Sequence, residues 1–395
     1  MAKILEIATL QTISPFTETE FFFRCSFSMG WAQFGWIQEL IYSPATMTAF
    51  NWAYVRQRPA KFCCIFAVYI LHAGILILGR LSTRPLSHPT NLVTALKSLL
   101  LKIFFLKHYQ FIYSTPPPAF ASARRFDGKG WHAYEVDVNP NRALKQYDAV
   151  VLYLHGGGYA IGEPMQYYVT FQRWRRKAAE MGYHLAIVSL RYPLSVERPY
   201  PAQRDAAVAA YEHLREVEKV PPSRVVLAGD SAGGNLVAAL LVYLRDHGEV
   251  PRPGASILIS AWLDPSLSKT ASSAYADVDF VYGDGTCNGT KQMAQVLAGD
   301  GRDPADPDIS LALNTNLKGI PGHLCSYGSA EVYQEDSKMW IAQCRADEVD
   351  VTSYCGEGAV HTFVLGGLAA DAKLEGEADD IVLEYIRKRL GIRTD

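Results

Sequence analysis

The chain has 395 residues, 49% hydrophobic and 20% charged, which is enough for one large domain or two ordinary ones. A net charge of −2, from 38 basic and 40 acidic residues, gives no electrostatic case for nucleic-acid binding. Gly 30, Pro 21 and Cys 7 exclude collagen, a disordered tail and a disulfide-dense miniprotein. The cysteines, from Cys25 to Cys355, lack CxxC spacing, so neither a zinc site nor a complete disulfide framework is expected. Most of the apolar excess lies before residue 115.

The first residues do not read as a secretory signal, because Glu6 interrupts a short apolar run in which Lys3 is the only positive charge. Residues 62–79 (FCCIFAVYILHAGILILG) carry no formal charge and are flanked by Arg56, Arg58 and Lys61 before and Arg80 and Arg84 after. A helix of that length spans about 27 Å, close to the hydrocarbon thickness of a bilayer. The expectation is a single membrane-spanning helix punctuated by Pro59 and Pro85, with a buried helix of a cytosolic protein as the alternative. Three basic residues before the segment against two after weakly favour a cytosolic amino terminus, with the rest of the chain in the lumen of the endoplasmic reticulum. The sequon Asn288-Gly289-Thr290 agrees with that topology, although one sequon arises readily by chance.

Residues 91–113 are apolar but include Lys97, Lys102 and Lys107. A spacing of five puts these lysines roughly 140° apart, around the helix instead of along one face. Both snorkelling at a membrane surface and a cap-like helix over a cleft fit. The run Ser114-Thr115-Pro116-Pro117-Pro118 reads as a stiff linker, dividing an extension, 1–118, from a main domain, 119–395.

Beyond the linker, residues 131–138, 149–154, 185–190, 225–228, 257–260, 323–327 and 351–354 are strand candidates, while 166–180, 204–218 and 234–246 have helical length and pattern. This alternation predicts an α/β fold: a mostly parallel central sheet with helices on both faces. The run Arg173-Trp174-Arg175-Arg176-Lys177 is read as a solvated helix face, an acidic lipid surface being the lesser option.

Two motifs carry chemistry. Gly229-Asp230-Ser231-Ala232-Gly233 follows a strand and opens an apolar helix, the context a G-x-S-x-G nucleophile turn requires. Its glycines allow the close approach of neighbouring chain, and the helix aims N–H groups at a developing oxyanion. Upstream, His155-Gly156-Gly157-Gly158 ends another strand, with glycines that let backbone N–H groups turn inward. Neither a P-loop Lys-Ser/Thr nor G-x-G-x-x-G accompanies them, so a phosphate cradle is not expected.

HGGGY at 155–159, the block YPLSVERPYPA at 192–202 and GDSAGGN at 229–235 resemble the hormone-sensitive-lipase group of α/β-hydrolase carboxylesterases. The resemblance covers about residues 130 to 390 and implies the α/β-hydrolase fold. It also implies an oxyanion hole from Gly157, Gly158 and Ala232, with His155 holding the loop and Asp230 in support. The triad order Ser, acid, His then points to Ser231 and to His361 in GAVHTF at 358–363, in preference to His323 and His247. Glu331 in Tyr327-Gly328-Ser329-Ala330-Glu331 stands where the group has aspartate, with Asp336 as the competing acid, expected inside a helix and turned away. Asp264 resembles a supporting position, although Ala261 replaces the usual proline. Pro193 stands where arginine normally follows the tyrosine, Val196 replaces a proline and Asp205 comes one residue early, which loosens the expected support beside the site.

The resemblance implies a serine esterase working through an acyl-enzyme, with no cofactor and no metal. A membrane segment ahead of such a domain is similar to fungal steryl acetyl hydrolases, which implies a lipophilic sterol- or terpenoid-like acetate as substrate and a lipid membrane as partner. A soluble carboxylesterase or lipase of short-to-medium acyl esters, and an acyltransferase with the same triad, remain open. A hormone-receptor role on this fold is disfavoured by His361.

Overall fold

The computed structural model describes residues 57–82, 90–108, 122–282 and 286–393. The amino-terminal run, Arg56, Arg84, Pro85 and the 114–118 linker lie outside the described residues. The chain divides into two compact units, Met1–Ser114 and Thr115–Asp395.

In the first unit, α1 (Pro59–Ser82) and α2 (Leu92–His108) pack on each other. Pro59 opens α1 instead of preceding it, as suits a residue whose missing N–H costs nothing in the first turn. The helix is longer than the 62–79 expected, and α2 runs to His108, residues 109–113 lying outside the described residues. Phe62, Ile65, Phe66, Tyr69 and Ala73 are buried, whereas Val68, Leu71, Ile75 and Leu78 are exposed. Their spacing of three, four and three residues makes the exposed set one continuous apolar stripe. Lys97 is buried and Lys102 half-buried, so α2 does not expose both lysines freely.

The second unit is built on one eight-stranded sheet: β1 (Arg124–Gly128), β2 (Trp131–Glu135), β3 (Ala149–Leu154), β4 (Leu185–Arg191), β5 (Val225–Asp230), β6 (Ala255–Ile259), β7 (His323–Gly328) and β8 (Val351–Gly356). The spatial order is β1-β2-β4-β3-β5-β6-β7-β8. β2 runs antiparallel to both β1 and β4, and every other pairing is parallel. Along β3 the period of two sends Val150, Leu152 and Leu154 into one core and Ala149, Val151 and Tyr153 into the other. The first core is closed by α4 (Ala202–Glu216), α5 (Ala232–Asp246) and α7 (Gln334–Ala346). α3 (Tyr168–Glu180) and α8 (Ala372–Arg389) cover the second. Helices on both faces explain why the central strands are apolar throughout.

Three elements escape the sequence reading. β1 is mostly exposed, with only Phe126 buried, so it lacks a strand's apolar signature. α6 (Asn288–Ala298) and α8 were also not expected. The 173–177 run is corrected as well: it is not a solvated face. Trp174 is buried and donates its indole N–H to Asp379 at 2.7 Å, Arg173 pairs with the same buried carboxylate at 2.7 Å, and Lys177 reaches Asp380 at 2.7 Å. The cluster joins α3 to α8.

Candidate active site

Ser231 sits between β5 and α5 with φ 51° and ψ −119°, a left-handed backbone that a serine adopts only under constraint. Two glycines make the turn possible. A Cβ on Gly233 would stand 1.9 Å from the Leu154 carbonyl oxygen, and one on Gly229 would meet the Gly233 carbonyl oxygen at 2.4 Å. The Ser231 N–H donates to Ile259 O at 2.9 Å, and Ser231 O accepts from Trp262 N at 3.0 Å, which fastens the turn to the end of β6. Ala232 begins α5, where a helix leaves its first N–H groups without intrahelical partners.

The glycine loop lies beside this turn. Gly156 N donates to Asp230 Oδ1 at 2.9 Å, and Gly157, at φ 117°, takes a conformation closed to other residues. Tyr153 donates to Asp230 Oδ1 at 2.8 Å and Tyr167 to Oδ2 at 2.7 Å. Burial raises Asp230 to about 6 against the lowering effect of those donors. His155 is fully buried, stacks on Tyr192 at 4.4 Å between centroids, and makes a 2.8 Å Nδ1 contact with Gly156 O. A carbonyl only accepts, so Nδ1 carries the proton. Burial lowers His155 to about 4, leaving it a neutral member of the loop. Tyr192 donates to His155 O at 2.5 Å. Arg191, the residue before Tyr192, donates to Tyr192 O and pairs with Glu197 at 2.7 Å.

Glu331 follows β7 in a fully buried turn. Its Oε2 accepts from Ser260 Oγ at 2.7 Å and Gly328 N at 2.9 Å, while Oε1 has no partner. Burial, then the neighbouring charge of Asp279, pushes Glu331 up to about 8. His361 follows β8 with its ring between Tyr333 and Phe280, at 5.3 and 5.7 Å between centroids, and burial drives it down to about 3. Its Nδ1 is also buried without a partner. The two segments are stitched together: Ala330 N donates to Ala359 O at 2.9 Å, and Gly358 N donates to Ser329 Oγ at 2.8 Å.

Asp336 lies in α7, as expected, but it is engaged elsewhere: Oδ2 accepts from Asp264 N at 3.0 Å. Burial and the charge of Asp264 raise it well above the carboxylate range. Asp264 is surrounded by the hydroxyls of Ser266, Ser268 and Ser310, so these acids organise the segment after β6. His323 is buried between Trp340 and Pro321 O, at 2.8 and 3.0 Å, and His247 stacks on Tyr243 at 3.9 Å. Asp279, Ser260, Tyr153 and Tyr167 escaped the sequence reading, since they act through contacts distant in sequence. No group of residues suited to a metal ion occurs among the described residues.

With an elbow serine, an adjacent glycine loop and a carboxyl and imidazole at successive strand ends, comparison with known proteins becomes decisive. Residues 151–365 match the family described as the alpha/beta hydrolase fold. The chain belongs to that family. An acetyl-hydrolase of Streptomyces hygroscopicus is 36% identical over 199 residues, 50% of this chain and 62% of the relative, so the chain spans less than two thirds of that protein's length. The carboxylesterase NlhH of Mycobacterium tuberculosis strain H37Rv is 36% identical over 240 residues, covering 57% of this chain and 70% of NlhH. Among solved structures, the hormone-sensitive-lipase homologue EstE7 from a metagenome library is 28% identical with a TM-score of 0.58, over 68% of this chain and 86% of EstE7. The expected family resemblance and the expected fold are thus both met.

Proposed function

We propose that this α/β hydrolase is a serine carboxylic-ester hydrolase with Ser231, His361 and Glu331 as its triad. The observation that carries the reading is the strained Ser231 turn, hydrogen-bonded to the end of β6, where Ser260 in turn contacts both the acid and the histidine segment. In the active arrangement Glu331 Oε1 accepts from His361 Nδ1–H, joining the two unpartnered buried atoms. That bond draws Glu331 down and His361 up from the values each has alone. Nε2 is then the basic nitrogen and takes the Ser231 proton as Oγ attacks the ester carbonyl. The N–H groups of Gly157, Gly158 and Ala232 stabilise the tetrahedral oxyanion. His361 returns the proton to the departing alcohol, and water activated by the same nitrogen releases the acid from the acyl-enzyme.

The names of the acetyl-hydrolase and carboxylesterase relatives support hydrolysis of acetyl and other carboxylic esters. Helix α1 supports a membrane location: Pro59–Leu78 is long and apolar enough to cross one, and its exposed stripe of Val68, Leu71, Ile75 and Leu78 suits lipid. The substrate we infer is a lipophilic acetate of sterol or terpenoid type, met at a membrane of the endoplasmic reticulum. The test is Ser231→Ala, for which turnover of p-nitrophenyl acetate falls at least about 10⁴-fold with the circular dichroism spectrum intact; undiminished turnover would falsify the assignment. Sterol acetates and longer acyl esters, assayed with membrane fractions, test the substrate class, and faster hydrolysis of the long acyl chains overturns it.

A further inference from the structure

One buried carboxylate plays no part in the mechanism above. Asp279 lies in the irregular stretch between β6 and α6 and is fully buried. Its Oδ2 accepts from Val332 N at 2.7 Å, the residue after Glu331, and its Oδ1 accepts from His361 N at 3.3 Å. Oδ1 also accepts from Phe280 N at 2.7 Å, which fixes the carboxylate's own rotamer. One carboxylate therefore spans the backbone of the acid turn and the backbone of the histidine loop.

Ser260 makes a second, independent span between the same segments. Its hydroxyl donates to Glu331 Oε2 at 2.7 Å and accepts from Thr362 N, the residue after His361, at 3.0 Å. Ser260 and Thr362 both hold left-handed backbone, at φ 45° and 58°, as Ser231 does at 51°. Non-glycine residues persist in that region only where surrounding contacts enforce them. Three such residues joined in one network mark a site whose geometry is imposed.

We propose that Asp279 and Ser260 are positioning residues that clamp the Glu331 turn and the His361 loop at the separation the acid–base pair requires. The inference rests on the proposed triad. The clamp occupies Glu331 Oε2 and leaves Oε1 as the oxygen open to His361, so one rotamer of the acid is selected. It also adds the charge of Asp279 close to the place where an imidazolium forms during turnover. Asp279 meets His361 at its backbone N–H and the rings of Tyr333 and Phe280 pack on its imidazole, with the carboxyl of Glu331 close to Asp279 and Asp336.

The test uses the full chain with p-nitrophenyl acetate, beside Ser231→Ala. Both Ser260→Ala and Asp279→Asn should lower kcat tenfold or more while KM stays within twofold, because ester binding does not depend on the clamp. Asp379→Asn, which weakens the distant α3–α8 contact, controls for destabilisation and should lower the melting temperature without lowering kcat per folded molecule. The clamp is overturned if kcat for Ser260→Ala stays within twofold of the parent, or if Asp379→Asn loses kcat by the same factor. Should Asp279→Asn not be recovered soluble, Ser260→Ala decides alone, since it removes a single oxygen. An active Ser231→Ala sinks the triad itself; an inactive Ser231→Ala beside unimpaired clamp variants sinks only the clamp.

Discussion

Asp230 and Glu331 are both buried carboxyl groups near Ser231, yet they are served differently. Asp230 is satisfied on both oxygens, by two tyrosine hydroxyls and the N–H of Gly156. Glu331 is satisfied on one oxygen, and its other oxygen and the His361 Nδ1 are buried without partners. An unpaired buried polar group costs roughly 1–3 kcal/mol, so Glu331 and His361 carry two such costs, against one at His155 Nε2 in the glycine loop. Around Asp230 the hydrogen bonding is complete, which fixes the backbone beside the proposed oxyanion donors. In the proposed triad the unfavourable free energy at Glu331 and His361 is released when Glu331 Oε1 accepts from His361 Nδ1.

The largest expected effect breaks the comparison on the open side. Glu331→Gln should lower kcat about 10³- to 10⁴-fold, since an amide cannot stabilise the imidazolium. Asp336→Asn, removing the competing acid, should change kcat less than tenfold while lowering the melting temperature; steady-state kinetics on both variants reverse the assignment if the ranking is opposite. Next comes pH. Burial keeps His361 in its neutral, basic form below the ordinary imidazole value, so the acid limb of kcat/KM should fall below about pH 6.5. A limb near 8 in a pH–rate profile means that Glu331, which burial raises to about 8, is not drawn down by the proposed bond to His361. The smallest effect tests the Asp230 side: Tyr167→Phe deprives Asp230 Oδ2 of its donor and should cost about 1 kcal/mol in denaturant unfolding. The same loss should leave kcat within tenfold, because Tyr153 and Gly156 still hold Oδ1.

The features readable in the sequence are those whose cause is local. The elbow needs glycine at 229 and 233 because backbone passes within 2.4 and 1.9 Å of where a Cβ would be, and that demand is written in adjacent letters. The central strands were equally legible, since burial on both faces leaves an unbroken apolar run. Asp279 was not, because it binds backbone 53 and 82 positions away and backbone N–H groups leave no trace in residue identity. The basic cluster at 173–177 misled for the same reason, its partner lying 206 residues on.

That last contact has a bearing on how the chain is made. Trp174 and Arg173 emerge from the ribosome long before Asp379, and at about 5–20 residues per second the delay is roughly 10–40 s. Through that interval the second core lacks α8, which supplies Ala378, Val382, Leu383 and Ile386. The newborn polypeptide thus covers this sheet face with α3 alone until α8 is released, and a premature stop before α8 leaves the face half covered.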